Sequence, residues 1–243
     1  YTFAVQGNAV SYVTCAPGSL GPLQIIAIQD FETPAGTPTW AYTNTGGSVT
    51  GGDAYANGPN IPKFIDAKSF QVANTTGVLN FNFDTSAYDD VEFGFKLAAF
   101  GSDNSNGLEV AGSNDYVRVE ISPDNINWYK QVQVGGNSNA RWSFTSGLGI
   151  AEMTYFEGTG IFDVYTQFAP SAGGSRTTDG YSTIRITNLP EVSTLYVRIT
   201  TRSNGNNETW AIDNITLKGK TPSGISEKTW NGSAWSGDGL PPT

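Results

Sequence analysis

Trp210-Ala211-Ile212-Asp213-Asn214-Ile215-Thr216-Leu217 decides how the chain is read. Alternation along a strand places Trp210, Ile212, Asn214 and Thr216 on one face and Ala211, Asp213, Ile215 and Leu217 on the other. Asp213 therefore shares its face with apolar neighbours. An ionised carboxylate buried alone is strongly unfavourable, so this one requires a cation, backbone amide donors or a place at the edge of the sheet. A candidate partner lies far upstream, where the apolar run of residues 23–28 closes in Gln29-Asp30-Phe31-Glu32, a second acidic strand end.

Outward from these stretches the chain reads as strand after strand. Leu79, Phe81 and Phe83, then Val91, Phe93 and Phe95, mark the core faces of two strands. Asp115 to Ile121 and Trp128 to Val134 predict a hairpin around Pro123-Asp124-Asn125-Ile126-Asn127, with Lys130, Val132 and Val134 continuing the alternation from Trp128. Residues 182–186, 195–201 and 210–217 complete the regular set, and Gly46 to Pro62 reads as a long loop. The 29 glycines and 12 prolines are spread between apolar runs, which describes many strands joined by many turns. About ten to twelve strands without an amphipathic helix predict an all-β, two-sheet antiparallel jelly-roll sandwich. Its expected extent is residues 23–220, preceded by an N-terminal arm or strand pair over 1–22 and followed by a linker, or the start of another module, over 221–243.

Composition narrows the chemistry. The chain has no histidine, which excludes Ser-His-Asp and Cys-His nucleophilic systems, an imidazole base and a His-ligated zinc or iron site. Carboxylates, Lys, Tyr or an oxygen-bound metal remain. The single Cys15 has no partner for an internal disulfide and reads as a small apolar side chain. A net charge of −9 with no basic cluster in the sequence argues against nucleic acid, and no apolar run is long enough to span a bilayer. An acidic surface rich in Asn, Ser, Thr and Gly suits an extracellular protein.

Asp30-Phe31-Glu32 followed by Trp40, the strand Asp115-Tyr116-Val117-Arg118-Val119-Glu120-Ile121-Ser122 with Trp128 after its turn, and Trp210 to Ile215 resemble the jelly-roll modules of MAM and concanavalin-A-like type. The likeness is greatest to versions found in type IX-exported surface proteins of gliding Bacteroidota, whose module-joining segments are similar to residues 229–236 here. The cysteines that form the disulfides of MAM domains proper are missing. The resemblance implies that the first and last core strands lie side by side, with a structural Ca²⁺ near their junction held by Glu32 and Asp213, and by Asp30 as a third ligand. Calcium takes six to eight oxygen ligands, which two acidic strand ends would supply in part.

Three functions remain open. The first is a non-catalytic surface module for adhesion or glycan binding, in which Trp40, Tyr42, Trp142, Tyr155 and Tyr165 stack on sugar rings of a polysaccharide or surface glycan; the plainer reading of each is core packing. The second is a structural spacer or partner-recognition module, with a secretion-system or surface protein as partner. The third is a carboxylate-pair glycoside hydrolase drawing on Glu92, Glu109, Glu120, Glu152 and Glu157, although no paired acidic strand signature is present and Glu120 reads as a solvent-side residue.

Overall fold

Alternating apolar residues leave each strand one face to bury, and in this chain the solution is two sheets stacked on one core. The computed structural model describes residues 3–6, 9–13, 20–51, 67–101, 115–135, 149–158, 166–168, 182–206, 208–222 and 227–230. The strands in chain order are β1 (Phe3–Gln6), β2 (Ala9–Val13), β3 (Gln24–Gln29), β4 (Tyr42–Thr45), β5 (Ser48–Gly51), β6 (Lys68–Ala73), β7 (Thr75–Phe83) and β8 (Asp89–Gly101). They continue with β9 (Tyr116–Ser122), β10 (Tyr129–Gly135), β11 (Gly149–Thr154), β12 (Thr166–Phe168), β13 (Ser182–Thr187), β14 (Leu195–Ser203), β15 (Glu208–Lys220) and β16 (Glu227–Trp230). No helix among the described residues is long and apolar enough to cross a membrane.

A six-stranded sheet runs β12-β10-β9-β14-β7-β4 and a seven-stranded sheet runs β11-β13-β8-β15-β6-β5, with β3 added alongside β15. Pairing is antiparallel except at the rims, where β12 runs parallel to β10 and β11 parallel to β13. The all-β sandwich expected from the sequence is therefore what the chain forms. Trp40 joins the layers: its ring lies 4.7 Å from that of Phe81 in one sheet and 6.2 Å from that of Phe93 in the other.

The seven-stranded sheet is built around β15, and the irregularity in its middle, at Asp213-Asn214, organises it. From Thr209 to Ile212 one edge of β15 pairs with β6, and from Ile215 to Gly219 it pairs with β3. Between them the register against β8 slips, and Asn214 takes a left-handed φ of 49°. This β-bulge reverses the alternation. Trp210, Ile212, Ile215 and Leu217 all enter the core, whereas unbroken alternation put the first pair and the last pair on opposite faces. First and last core strands do lie side by side, as β3 and β15.

Two other stretches depart from the sequence reading. Ser48–Gly51, read as loop, is the strand β5; Gly46 and Gly47, both at positive φ, turn the chain from β4, paired with β7, to β5, paired with β6. Positive φ is the conformation glycine adopts without a Cβ penalty. In the predicted hairpin a bulge between Lys130 and Val132 keeps Val132 and Val134 in the core and leaves Lys130 opposite Glu120 on the outside.

The N-terminal stretch and the tail share a third sheet, in which β2 pairs with both β1 and β16. The sandwich is entered and left side by side, where Gly21 N–H donates to Thr221 O at 3.0 Å and Leu20 bridges Pro222.

Candidate functional site

The junction that the sequence marked as a metal site is where β15 exchanges β6 for β3, and its carboxylates meet backbone donors. Glu32 Oε1 accepts the N–H groups of Ala67 at 2.8 Å and Lys68 at 2.6 Å, which ties the end of β3 to the start of β6. Asp30 accepts from Glu32 N–H at 3.2 Å and Gly36 N–H at 2.8 Å and closes the turn after β3. A Cβ on Gly36 would lie 2.7 Å from Asp30 Oδ2, so a larger residue here would displace the Asp30 carboxylate. Asp213, 1% exposed, accepts the N–H of Asn214 at 2.6 Å inside the bulge. Strand ends and bulges release amides from the ladder, and these carboxylates meet the ones named here. Among the described residues no group of three or more acidic, Cys or His side chains gathers as a metal shell would, so Glu32, Asp30 and Asp213 do not assemble into one site. Of the three fates open to Asp213, backbone amide donation is the one its Oδ1 meets.

The aromatic residues chosen as sugar platforms divide differently. Trp40 is 3% exposed, and its indole N–H donates to Asn82 O at 2.9 Å, which makes it core and corrects its reading as an exposed ring. Tyr42 is half-buried edge-on to Phe31 and beside Phe81, and that burial raises its hydroxyl pKa. Tyr155 is half-buried against Tyr129, and its hydroxyl donates to Glu157 at 2.9 Å; burial and then the Glu157 carboxylate push its pKa far above the tyrosine range. Trp142 and Tyr165 lie outside the described residues.

Of the carboxylates available for hydrolysis, Glu92 and Glu152 come together on the outer face of the seven-stranded sheet, both on Arg185. Arg185 Nη2 lies 2.5 Å from Glu92 and Nη1 3.0 Å from Glu152, and Lys218 Nζ takes the other Glu92 oxygen at 3.2 Å. A guanidinium fills the space where a scissile bond would have to lie between such a pair. Glu120 lies on the face of β9 turned away from the core, but it is buried there at 9% exposed and paired with Arg198 at 3.0 Å, which corrects its reading as a solvent-side residue; Glu109 lies outside the described residues.

The best-built surface is the outer face of the six-stranded sheet. Because Val117, Val119 and Ile121 of β9 and Val197 and Ile199 of β14 enter the core, the alternate residues lie on the opposite face, where Ser122, Gln133 and Glu120 are themselves buried by their neighbours at 0%, 5% and 9% exposed. Register then aligns them in rows. Thr43, Asn80, Arg198, Glu120 and Lys130 stand across β4, β7, β14, β9 and β10; beside them run Thr45, Val78, Thr200, Arg118 and Gln133. Asn82, Tyr196 and Ser122 flank one side and Thr76, Arg202 and Tyr116 the other.

Aromatic rings hold two of these guanidinium groups in place. Arg198 Cζ sits 4.1 Å above the ring of Trp128, the residue just before β10, and Arg118 Cζ sits 4.8 Å above that of Tyr116. Arg118 also donates through Nε and Nη2 to Gln133 Oε1, at 2.9 and 2.7 Å. Stacking and forked hydrogen bonds fix the plane of a guanidinium and leave its remaining N–H groups directed away. Trp128, read as the start of the second hairpin strand, stands immediately before it. Sequence reasoning missed the rest of this face, although its alternating polar residues in β9 and β14 were the available signal.

A concavity of about 310 Å³ lies at the edge of the other sheet, lined by Gly47, Ser48, Gln71, Ala73, Thr75 and Thr209. No aromatic side chain lines it.

Fold and face define an all-β sandwich with one polar, aromatic-braced sheet surface. No known family pattern matches the chain, and no curated protein matches it in sequence. Solved structures of similar shape include the carbohydrate-binding module TmCBM61 in complex with β-1,4-galactotriose, at TM-score 0.41 and 10% identity over 77% of this chain and 92% of that one. The K1 cleaved adhesin domain of Lys-gingipain from Porphyromonas gingivalis W83 has a TM-score of 0.44 and 14% identity over 82% of this chain and 99% of its own. The CBM22-1 xylan-binding domain of Paenibacillus barcinonensis Xyn10C has 0.37 and 12% over 85% and 100%. At these values the likeness is one of sandwich shape.

Proposed function

We propose that the chain is a non-catalytic extracellular module that binds glycan across the outer face of its six-stranded sheet. The observation that carries this is the pair of guanidinium groups stacked on Trp128 and Tyr116 within cross-strand rows of Asn and Thr. Sugar hydroxyls need many directed donors and acceptors on a rigid support, and side chains fixed by stacking on a sheet provide them with little ordering cost on binding. The outer face of the other sheet engages its own charges in the Glu152-Arg185-Glu92-Lys218 series, which leaves fewer groups for a ligand.

The side-by-side entry and exit at Gly21 and Thr221 support display over spacing. A domain entered and left at one point hangs from its neighbours as a branch, whereas an in-line spacer is entered at one end and left at the other. The acidic, Asn-rich composition and the resemblance to exported surface modules support an extracellular, cell-surface setting.

A glycan-array screen tests the proposal, with Trp128→Ala and Asn80→Ala as variants and a thermal melt of each to confirm folding. Retention on polysaccharide that both variants weaken is the expected result. Arrays blank for the wild-type protein would overturn it and favour the spacer or partner-recognition role.

A further inference from the structure

The chain carries a net charge of −9, yet among the described residues this face of the six-stranded sheet carries Arg118, Lys130, Arg198 and Arg202 against one carboxylate, Glu120, which pairs with Arg198. Neither Arg118 nor Arg202 has an acidic partner among the described residues, and Arg202 is exposed. The outer face of the other sheet, by contrast, balances Glu92 and Glu152 with Arg185 and Lys218. Among the described residues, an excess of positive over negative charge falls on one face of an acidic protein.

Its arrangement is linear. Arg198 and Arg202 lie four residues apart on β14, and Arg118 on the adjacent β9 stands opposite Thr200, midway between them. Successive arginine Cα positions are thus offset by two residues, or about 7 Å, along the strand direction. A polymer carrying anionic groups at intervals would meet one arginine after another as it ran along these strands. Arginine suits this task because its planar fork bonds carboxylate or sulfate through two N–H groups at once.

We infer that the face takes an anionic polysaccharide, one bearing carboxylate or sulfate groups along its chain; this rests on the glycan reading and names its ligand class. The negative charge elsewhere repels a polyanion that arrives on any other surface, so orientation is selected together with affinity.

Affinity electrophoresis and titration against polygalacturonate, dextran sulfate, neutral galactan, neutral xylan and polyglutamate test the inference. Polygalacturonate or dextran sulfate binds more tightly than either neutral polymer, and whichever wins identifies carboxylate or sulfate as the group read. Arg118→Gln and Arg202→Gln each weaken that binding about tenfold, the effect of losing one hydrogen bond between charged groups. Lys220→Gln, which removes an equal charge from the seven-stranded sheet, leaves it unchanged, and raising salt to about 0.5 M weakens it further. Binding of neutral polymers with both arginine variants unaffected would overturn the anionic class and leave the glycan reading standing. Polyglutamate bound as tightly as the polysaccharides, or no polymer bound at all, would overturn both.

Discussion

Replacing Asp213 separates the two roles a buried carboxylate can have at this junction. Its Oδ1 accepts the Asn214 N–H at 2.6 Å inside the bulge, and a hydrogen bond to a charged group contributes about 1.5–3 kcal/mol. Asp213→Ala leaves that amide without its acceptor and costs about 2 kcal/mol. Asp213→Asn keeps a carbonyl oxygen at the same place but loses the charge, which roughly halves the bond, so it costs about 1 kcal/mol. For a chain of 243 residues these losses lower the thermal midpoint by about 4–8 °C and 2–4 °C respectively.

Urea unfolding followed by tryptophan fluorescence gives the free energies, and an unchanged m-value shows that the same surface unfolds in each variant. Each protein is also melted with EDTA and with added calcium. The dispersal of Glu32, Asp30 and Asp213 among backbone donors predicts the same wild-type midpoint in both. Two results refute the reasoning. One is an Asp213→Ala protein as stable as wild type, which would remove the amide anchor. The other is a wild-type midpoint that falls by several degrees in EDTA, with Asp213→Asn abolishing the response; that would make Asp213 a calcium ligand as the sequence resemblance implies.

Asn214 holds a φ of 49°, so Asn214→Gly is expected to change stability by less than about 0.5 kcal/mol and Asn214→Val to cost about 1–2 kcal/mol in the same urea assay. Trp40→Ala empties the contact between the sheets and orphans the acceptor on Asn82; it is expected to cost about 3–5 kcal/mol by chemical denaturation. Asp124, with its pKa lowered to about 2 by the Asn127 and Ile126 amides, stabilises the hairpin turn only when ionised. Its contribution is full above the unfolded pKa near 4 and is lost as pH falls toward about 2, so Asp124→Ala should flatten the acid limb of a midpoint-against-pH curve between those values. A double-mutant cycle on Arg198 and Trp128 is expected to return a coupling of about 1 kcal/mol in urea, and a coupling of zero would mean the stack at 4.1 Å does not hold the guanidinium.

The strands were legible because apolar alternation survives wherever pairing is unbroken. Leu79, Phe81 and Phe83, and Val91, Phe93 and Phe95, were read on the faces they bury or half-bury. The reading failed where the ladder slips. At Asp213-Asn214 the face of every later residue depends on β15 exchanging β6 for β3, a tertiary event that no local pattern records. The asparagine was a signal in retrospect, since Asn is enriched at left-handed φ. Trp40 follows the irregular turn from Asp30 to Thr39, where no periodicity tells inside from outside; its burial is set by Phe81 and Phe93, which reach it from two different sheets. The candidate face was half visible. Arg118, Glu120, Arg198 and Arg202 could be seen to point outward, but that they form rows required the register between β9 and β14, residues about 80 apart in sequence.

The bulge at Asp213-Asn214 and the bulge in β10 have opposite consequences for the two sheets, and this explains why the candidate face lies where it does. The bulge in β15 sits mid-sheet, and the carboxylates around it are drawn into holding freed amides together. The seven-stranded sheet therefore commits its acidic residues to its own backbone at the junction and, through Glu92 and Glu152, to its own cations beside it. The bulge in β10 lies near a rim, and there Gln131 satisfies the loop at Phe156 by a pair of hydrogen bonds at 2.9 and 3.0 Å, without using any charged side chain. The centre of the six-stranded sheet stays regular, so β4, β7, β14, β9 and β10 can align side chains in straight rows. Regular register is what turns scattered polar residues into a surface with repeated spacing, and it is this spacing on which the proposed binding of a polysaccharide rests.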